Sequence, residues 1–92
     1  MIVTFKHKGL EKFFLSGSTA GIQVKHANKL QVQLMTLNEA QTIEQINFPN
    51  WRLHPLKGNL AGYWSITVNA NWRLTFRFED GNAYIVDYQD YH

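Results

Sequence analysis

Ninety-two residues with no cysteine, nine Lys and Arg against seven Asp and Glu, and a formal charge of +2 suffice for one small domain spanning residues 1–92. They exclude disulfide staples and thiolate metal sites, and a chain this short buries only about 60–65% of its unfolded surface. At 45% hydrophobic and 17% charged residues, the composition is that of an ordered globular protein, not a disordered one.

The opening MIVTFKHKGLEKFF has no long apolar run. It reads as neither a signal peptide nor a membrane span, and a cysteine-free chain suits a reducing cytoplasm. Ile2 to Phe5 is β-rich and predicts a strand beside the later sheet, broken by Gly9. Leu10, Phe13 and Phe14 share one face of a short helix, with Glu11 and Lys12 outward. That helix ends in the glycine-rich Ser16–Gly21 connection, which lacks the Gly-Lys-Ser/Thr signature of a phosphate loop.

Lys25 to Asn38 predicts the best helix, with Ala27, Leu30, Leu34 and Leu37 as its apolar stripe. Lys25, His26, Lys29, Gln31 and Gln33 cover its solvated side. A shorter helical turn is expected over 38–46, with Asn38 as a candidate cap and Pro49 as its stop.

From Trp51 onward the period becomes two. Trp64, Ile66 and Val68 alternate with Tyr63, Ser65 and Thr67, and Trp72, Leu74, Phe76 and Phe78 alternate with Arg73, Thr75 and Arg77. Asn69-Ala70-Asn71 predicts a three-residue hairpin loop and Asp80-Gly81-Asn82 a second turn. The expected fold is α+β: a small, twisted antiparallel sheet with two to three helices on its dry face and the other face open. That open face gathers Arg73, Arg77, Thr75, Tyr63 and Ser65, with His54 and Lys57 in the preceding loop and Asp90-Tyr91-His92 at the end. Such a set suits phosphate binding beside proton transfer.

Charge is uneven. Residues 1–30 hold five Lys and one Glu, whereas residues 51–92 hold four basic and four acidic groups. Lys6, Lys8, Lys12, Lys25 and Lys29 therefore form a candidate contact for nucleic-acid phosphates, with Arg77 as an additional cation. Solvated lysines that serve solubility are the plain alternative. No carboxylate cluster or His-x-x-x-His pair points to a metal, and no cofactor motif is visible.

His54-Pro55-Leu56-Lys57-Gly58, Gly62-Tyr63-Trp64-Ser65-Ile66, Asn71-Trp72-Arg73 and Asp90-Tyr91-His92 occur in order, after Phe5-Lys6-His7-Lys8-Gly9-Leu10 near the start. In these motifs and in length the chain resembles the HigB toxins, plasmid-maintenance killer proteins of the RelE superfamily. The resemblance implies the RelE-like microbial RNase fold. It implies a toxin of a type II toxin–antitoxin system that enters the ribosomal A site and cuts translated mRNA. The implied partners are the ribosome with its RNA, the message and a HigA-type antitoxin that alone contacts operator DNA. The implied active site is His54, Lys57, Arg73, Asp90, Tyr91 and His92.

Metal-free cleavage by the 2′-OH needs a base, an acid and positive charge on the phosphorane oxygens. Arg73 suits the charge, because its guanidinium can hold two phosphate oxygens. His54 and His92 are acid/base candidates, since an imidazole ordinarily titrates near ~6.5. Lys57 is a second phosphate cation, Asp90 an orienting group or proton acceptor, and Tyr91 a stacking or phosphate-binding group. An unbroken strand cannot aim Asp90, Tyr91 and His92 at one point, so the strand is expected to end or twist near Gln89. Two other functions compete: a non-catalytic ParE-like inhibitor of DNA gyrase, and a general RNA-binding module using Tyr63, Tyr84 and Tyr88.

Overall fold

The alternation after Trp51 produces an antiparallel meander, and the computed structural model describes it within residues 1–91. Its strands are β1 (His54–Pro55), β2 (Tyr63–Asn69), β3 (Trp72–Glu79) and β4 (Asn82–Asp90), in the order β1-β2-β3-β4. Glu79 pairs with Asn82, so the second hairpin loop is Asp80-Gly81 alone. Both loop residues have positive φ, 53° and 79°. This is the mirror-image turn whose twist matches that of the flanking strands. The first loop is also shorter than expected. Asn69 pairs with Trp72, leaving Ala70-Asn71 as the loop, and a register shift between Thr67 and Asn69 absorbs the extra residue. Residues near the N-terminus join β4 through two isolated parallel bridges, Ile2 to Ala83 and Phe5 to Val86, rather than a continuous strand.

Two α-helices cover one face of this sheet. Helix α1 spans Lys8–Ser16 and buries Leu10. His7 caps it, its Nδ1 accepting the Leu10 N–H at 2.9 Å. Gly17 ends it at φ 80°, donating to the Phe13 carbonyl at 2.8 Å. Gly9, expected to break the first strand, is a helical residue instead. It lies inside α1 against the Gly21 backbone, where a Cβ would come within 2.5 Å of the Gly21 oxygen.

Helix α2 spans Ala27–Glu39, and the residues just before it, Val24–His26, form a 3-10 turn. Its stripe of Leu30, Leu34 and Leu37 is fully buried. His26 and Gln33, expected on the solvated side, are buried as well. Gln33 Nε2 donates to the Thr67 carbonyl at 2.9 Å. His26 Nδ1 is hydrogen-bonded to the Tyr88 hydroxyl at 2.6 Å, and its ring meets Trp72 edge-on. Asn38 is no cap. It lies within α2 and accepts the Ile2 N–H at 2.9 Å, tying the N-terminus to the helix. Only a 3-10 turn, Ile43–Ile46, follows, and Pro49 opens another, Pro49–Trp51.

The core lies between the helices and the inner sheet face, where Leu10, Leu30, Leu34, Leu37, Ile46, Ile66, Val68, Leu74, Phe76 and Val86 have essentially no exposure. Each such side chain contributes about 1.5–3 kcal/mol by leaving water. The outer face is less open than expected. Ser65 and Thr75, on its central row, are 1% and 5% exposed. The N-terminal segment and the β1–β2 loop stand at its edges and make it concave. None of the helices among the described residues is long and apolar enough to cross a membrane.

Candidate active site

Cross-strand pairing sorts the outer face into rows, because paired residues point to the same side. His54 pairs with Ser65, Ser65 with Thr75, and Thr75 with Asp87. Thr67 pairs with Arg73, and Arg73 with Gln89. A groove of about 540 Å³ opens over these rows, lined by Arg52, His54, Thr67, Ala70 and Arg73. A smaller concavity of about 90 Å³ adjoins it, with Lys6, Thr75, Asp87, Gln89 and Tyr91 among its lining. Two arginines and an imidazole thus share one groove, with a lysine beside it.

The imidazole is oriented. Arg52 takes a left-handed conformation, φ 51°, at the end of the Pro49–Trp51 turn. Its carbonyl lies 2.9 Å from His54 Nδ1. A carbonyl can only accept, so Nδ1 carries the hydrogen and donates it. In the neutral ring Nε2 is then the basic nitrogen, ready to take a proton.

Arg73 stands mid-strand with its guanidinium 5.4 Å from the centre of the Tyr91 ring. Its Nε is buried and has no hydrogen-bond partner among the described residues. Neighbouring groups are more firmly tied. Gln89 Nε2 donates to Thr75 Oγ1 at 3.1 Å and to Asp87 Oδ2 at 2.8 Å. Asp87 Oδ1 accepts the Tyr88 N–H at 2.9 Å. Among the described residues no group of three His, Cys, Asp or Glu side chains could hold a metal ion.

Of the residues singled out from sequence, the fold brings together His54, Arg73, Tyr91 and Lys6. Lys57 lies exposed in the β1–β2 loop and lines neither concavity. Asp90 takes the other side of the sheet. The strand does not end at Gln89 but continues through Asp90, which pairs with Trp72. Alternation therefore sends Gln89 and Tyr91 towards Arg73 and Asp90 towards the Tyr88–Trp72 stack. Burial chiefly raises the Tyr88 hydroxyl above its ordinary value, and the Asp90 charge adds to that rise. His92 lies outside the described residues.

Lys8 and Lys12 sit exposed on α1, Lys29 on α2, and Lys25 in the turn before it. Arg77 is on the outer face but engaged, 3.0 Å from Glu79 and over the Tyr84 ring at 4.6 Å. Arg52, Asp87 and Gln89 were missed. Arg52 has the parity of His54, and Asp87 and Gln89 that of Tyr91, so each was readable from its neighbour once the strands were in register. A cleft of about 320 Å³ between α1 and α2 is lined by Phe13, Phe14, Gly17, Gln31, Leu34 and Met35. It offers no titratable group, so the chemistry gathers on the opposite side of the sheet.

Known proteins resemble this chain throughout. Residues 3–92 match the family model described as a RelE-like toxin of the type II toxin–antitoxin system HigB. "Endoribonuclease HigB" of Proteus vulgaris is 48% identical over 92 residues, covering all of both chains. "Toxin HigB-1" of Vibrio cholerae is 36% identical over 85 residues, covering 90% of each. Among solved structures, a YoeB–YefM complex from Staphylococcus aureus superposes with a TM-score of 0.63 at 24% identity, covering all of this chain and 95% of the other. A YafQ variant from E. coli gives 0.60 at 22% identity, covering 98% and 91%. With sheet, helices and sequence agreeing from end to end, the chain belongs to the HigB family of RelE-like toxins of type II toxin–antitoxin systems.

Proposed function

We propose that this toxin is an endoribonuclease that cuts translated mRNA in the ribosomal A site without a metal or cofactor. One observation carries the reading: His54, with Nδ1 held by the Arg52 carbonyl, shares a groove with Arg73. Nε2 of His54 takes the proton of the ribose 2′-OH, and the 2′-oxygen bonds to the adjacent phosphorus. Arg73, with Arg52 at the same groove, stabilises the charge that develops on the phosphorane oxygens. The bond from phosphorus to the 5′-oxygen breaks, and that oxygen gains a proton. The products are a 2′,3′-cyclic phosphate and a 5′-hydroxyl. His92 is the proposed acid for that last step. Lys57 and Asp90 enter through the family resemblance, Lys57 as a phosphate cation and Asp90 as an orienting group. Tyr91 backs Arg73 and stacks on the message. The name of the Proteus vulgaris relative, an endoribonuclease identical at nearly half its positions, supports the same activity.

The remaining elements of the proposal are a single domain acting in the cytoplasm and a HigA-type antitoxin as partner. The lysines at Lys6, Lys8, Lys12, Lys25 and Lys29 contact ribosomal RNA, and operator DNA is reached only through the antitoxin. Induction of the wild-type chain and of Arg73→Ala in growing cells, with message 5′ ends mapped, tests the reading. Wild type should yield cuts within translated regions that vanish when initiation is blocked. Arg73→Ala should lose about 10²–10³-fold in cutting while keeping its thermal transition. Growth arrest without new message ends would overturn the nuclease and favour a binding-type inhibitor such as one of DNA gyrase.

A further inference from the structure

The smaller concavity beside the cleavage groove differs from it in chemistry. Its floor is supplied by the sheet: Thr75 from β3, and Asp87 and Gln89 from β4. Its walls come from loop and tail residues, Leu60 and Tyr91, and Lys6 contributes from the N-terminal segment. The floor is rich in acceptors and is held in place. Gln89 commits its Nε2 to Thr75 Oγ1 and Asp87 Oδ2, which leaves the amide oxygen as its accepting group. Asp87 takes one hydrogen bond on each carboxylate oxygen, and each oxygen has room for another. A carboxylate floor repels a phosphate, so this is not a second backbone site. It suits a flat group that offers N–H donors along one edge.

The neighbouring geometry identifies that group. Gln89 is cross-strand from Arg73, and the Tyr91 ring that walls the concavity also carries the Arg73 guanidinium at 5.4 Å. Thr75 lies two residues along β3 from Arg73, roughly 7 Å. A nucleotide whose phosphate rests on Arg73 therefore has its base within reach of this floor. The volume, about 90 Å³, admits the edge of one base rather than a whole nucleotide.

Resting on the nuclease reading above, we propose that Asp87 and Gln89 form a base-reading subsite. It takes an amino-bearing base (adenine, cytosine or guanine) next to the scissile phosphate and disfavours uracil. An exocyclic amine donates to the Asp87 carboxylate and the Gln89 amide oxygen. Uracil sets two keto oxygens against those acceptors and has a single N–H between them. Tyr91 and Leu60 cover the faces of the base, a contact that every base can make, so the edge contacts carry the selectivity.

The test places each base in turn at every position flanking the cut in ribosome-bound messages and measures cleavage rates. At one flanking position wild type should cut messages with amino-bearing bases about tenfold faster than those with uracil. Asp87→Asn, which replaces one acceptor oxygen by a donor amide, should bring that ratio close to one. On wild type alone, purine riboside in place of adenosine at the same position should slow cutting about tenfold, an arm that needs no variant to fold. Wild-type cutting that is indifferent to the base at every flanking position would overturn the subsite and leave the nuclease standing. So would unchanged selectivity in folded Asp87→Asn, or unchanged cutting of the purine riboside message. An absence of any cutting by wild type would overturn the nuclease reading and the subsite with it.

Discussion

A hydrogen bond to a carbonyl leaves a neutral imidazole no choice of tautomer, and at His54 that choice has a chemical consequence. The Arg52 backbone, not its side chain, sets the ring. Arg52 is also one of the residues that line the groove. The two roles predict different losses. His54→Ala removes the proposed base and should lower cutting about 10²–10⁴-fold. Arg52→Ala keeps the carbonyl and removes one of two groove arginines, so it should cost roughly tenfold, felt in KM more than in kcat. Single-turnover and steady-state rates on ribosome-bound message check this, and equal kcat losses in both variants would contradict the separation. Arg73 differs from both in standing on a central strand with its guanidinium against Tyr91, a rigid support for the group proposed to meet developing charge.

At the scale of elements, β4 shapes the smaller concavity beside the groove, to which it gives Asp87 and Gln89. Its register with β3 shifts by one residue between Thr75 and Arg77, and Ile85 takes a left-handed φ of 57° there. For a β-branched residue that conformation costs about 1–2 kcal/mol. Ile85 and Val86 N–H groups recover hydrogen bonds from Thr4, at 2.8 Å to its hydroxyl and 3.1 Å to its carbonyl. The bulge therefore docks the N-terminal segment and brings Lys6 to the outer face. On the opposite face α1 is positioned by the Gly9–Gly21 contact. Gly9→Ala would press a Cβ into backbone that has no rotamer to change. About 1–3 kcal/mol of destabilisation is expected, or a Tm lower by some 4–8 °C per kcal/mol in a chain this size. A thermal melt of the variant checks it, and an unchanged Tm would mean that α1 slides freely.

For the whole molecule, the buried His26 links stability to pH. Burial lowers its pKa below the ordinary 6.5, and the Lys25 charge lowers it further. The ring meets Tyr88 and Trp72, Asp90 pairs across from Trp72, and His26 Nε2 is buried without a partner among the described residues. The native state therefore holds His26 neutral, and the unfolded chain takes up its proton first. Stability from this group is complete above pH ~6.5 and is lost as pH falls through the depressed folded value. One linked proton gives a slope of up to about 1.4 kcal/mol per pH unit. Urea unfolding between pH 7.5 and 5.5 should show wild type weakening toward acid. His26→Asn should start lower and lose part of that slope, and parallel pH profiles would remove His26 from the linkage.

Local periodicity by itself determined the strand alternation after Trp51, the Leu30–Leu34–Leu37 stripe and a chain reversal within Asp80-Gly81-Asn82, because each is a property of a few consecutive residues. It also placed His54 and Arg73 as candidates, through residue types suited to phosphate and proton transfer. What it could not determine is which rows meet. That depends on register, and two single-residue shifts in the ladders, with two-residue loops, set which side chains share the outer face. Hence Asp90 points away from Arg73 while Asp87 and Gln89 stand beside it. Only tertiary packing decided that His26 and Gln33 are interior, since a helix face counts as solvated until the sheet reaches it. Gly9 likewise proved to be a close-packing residue inside α1, because the Gly21 backbone comes too near for a side chain there.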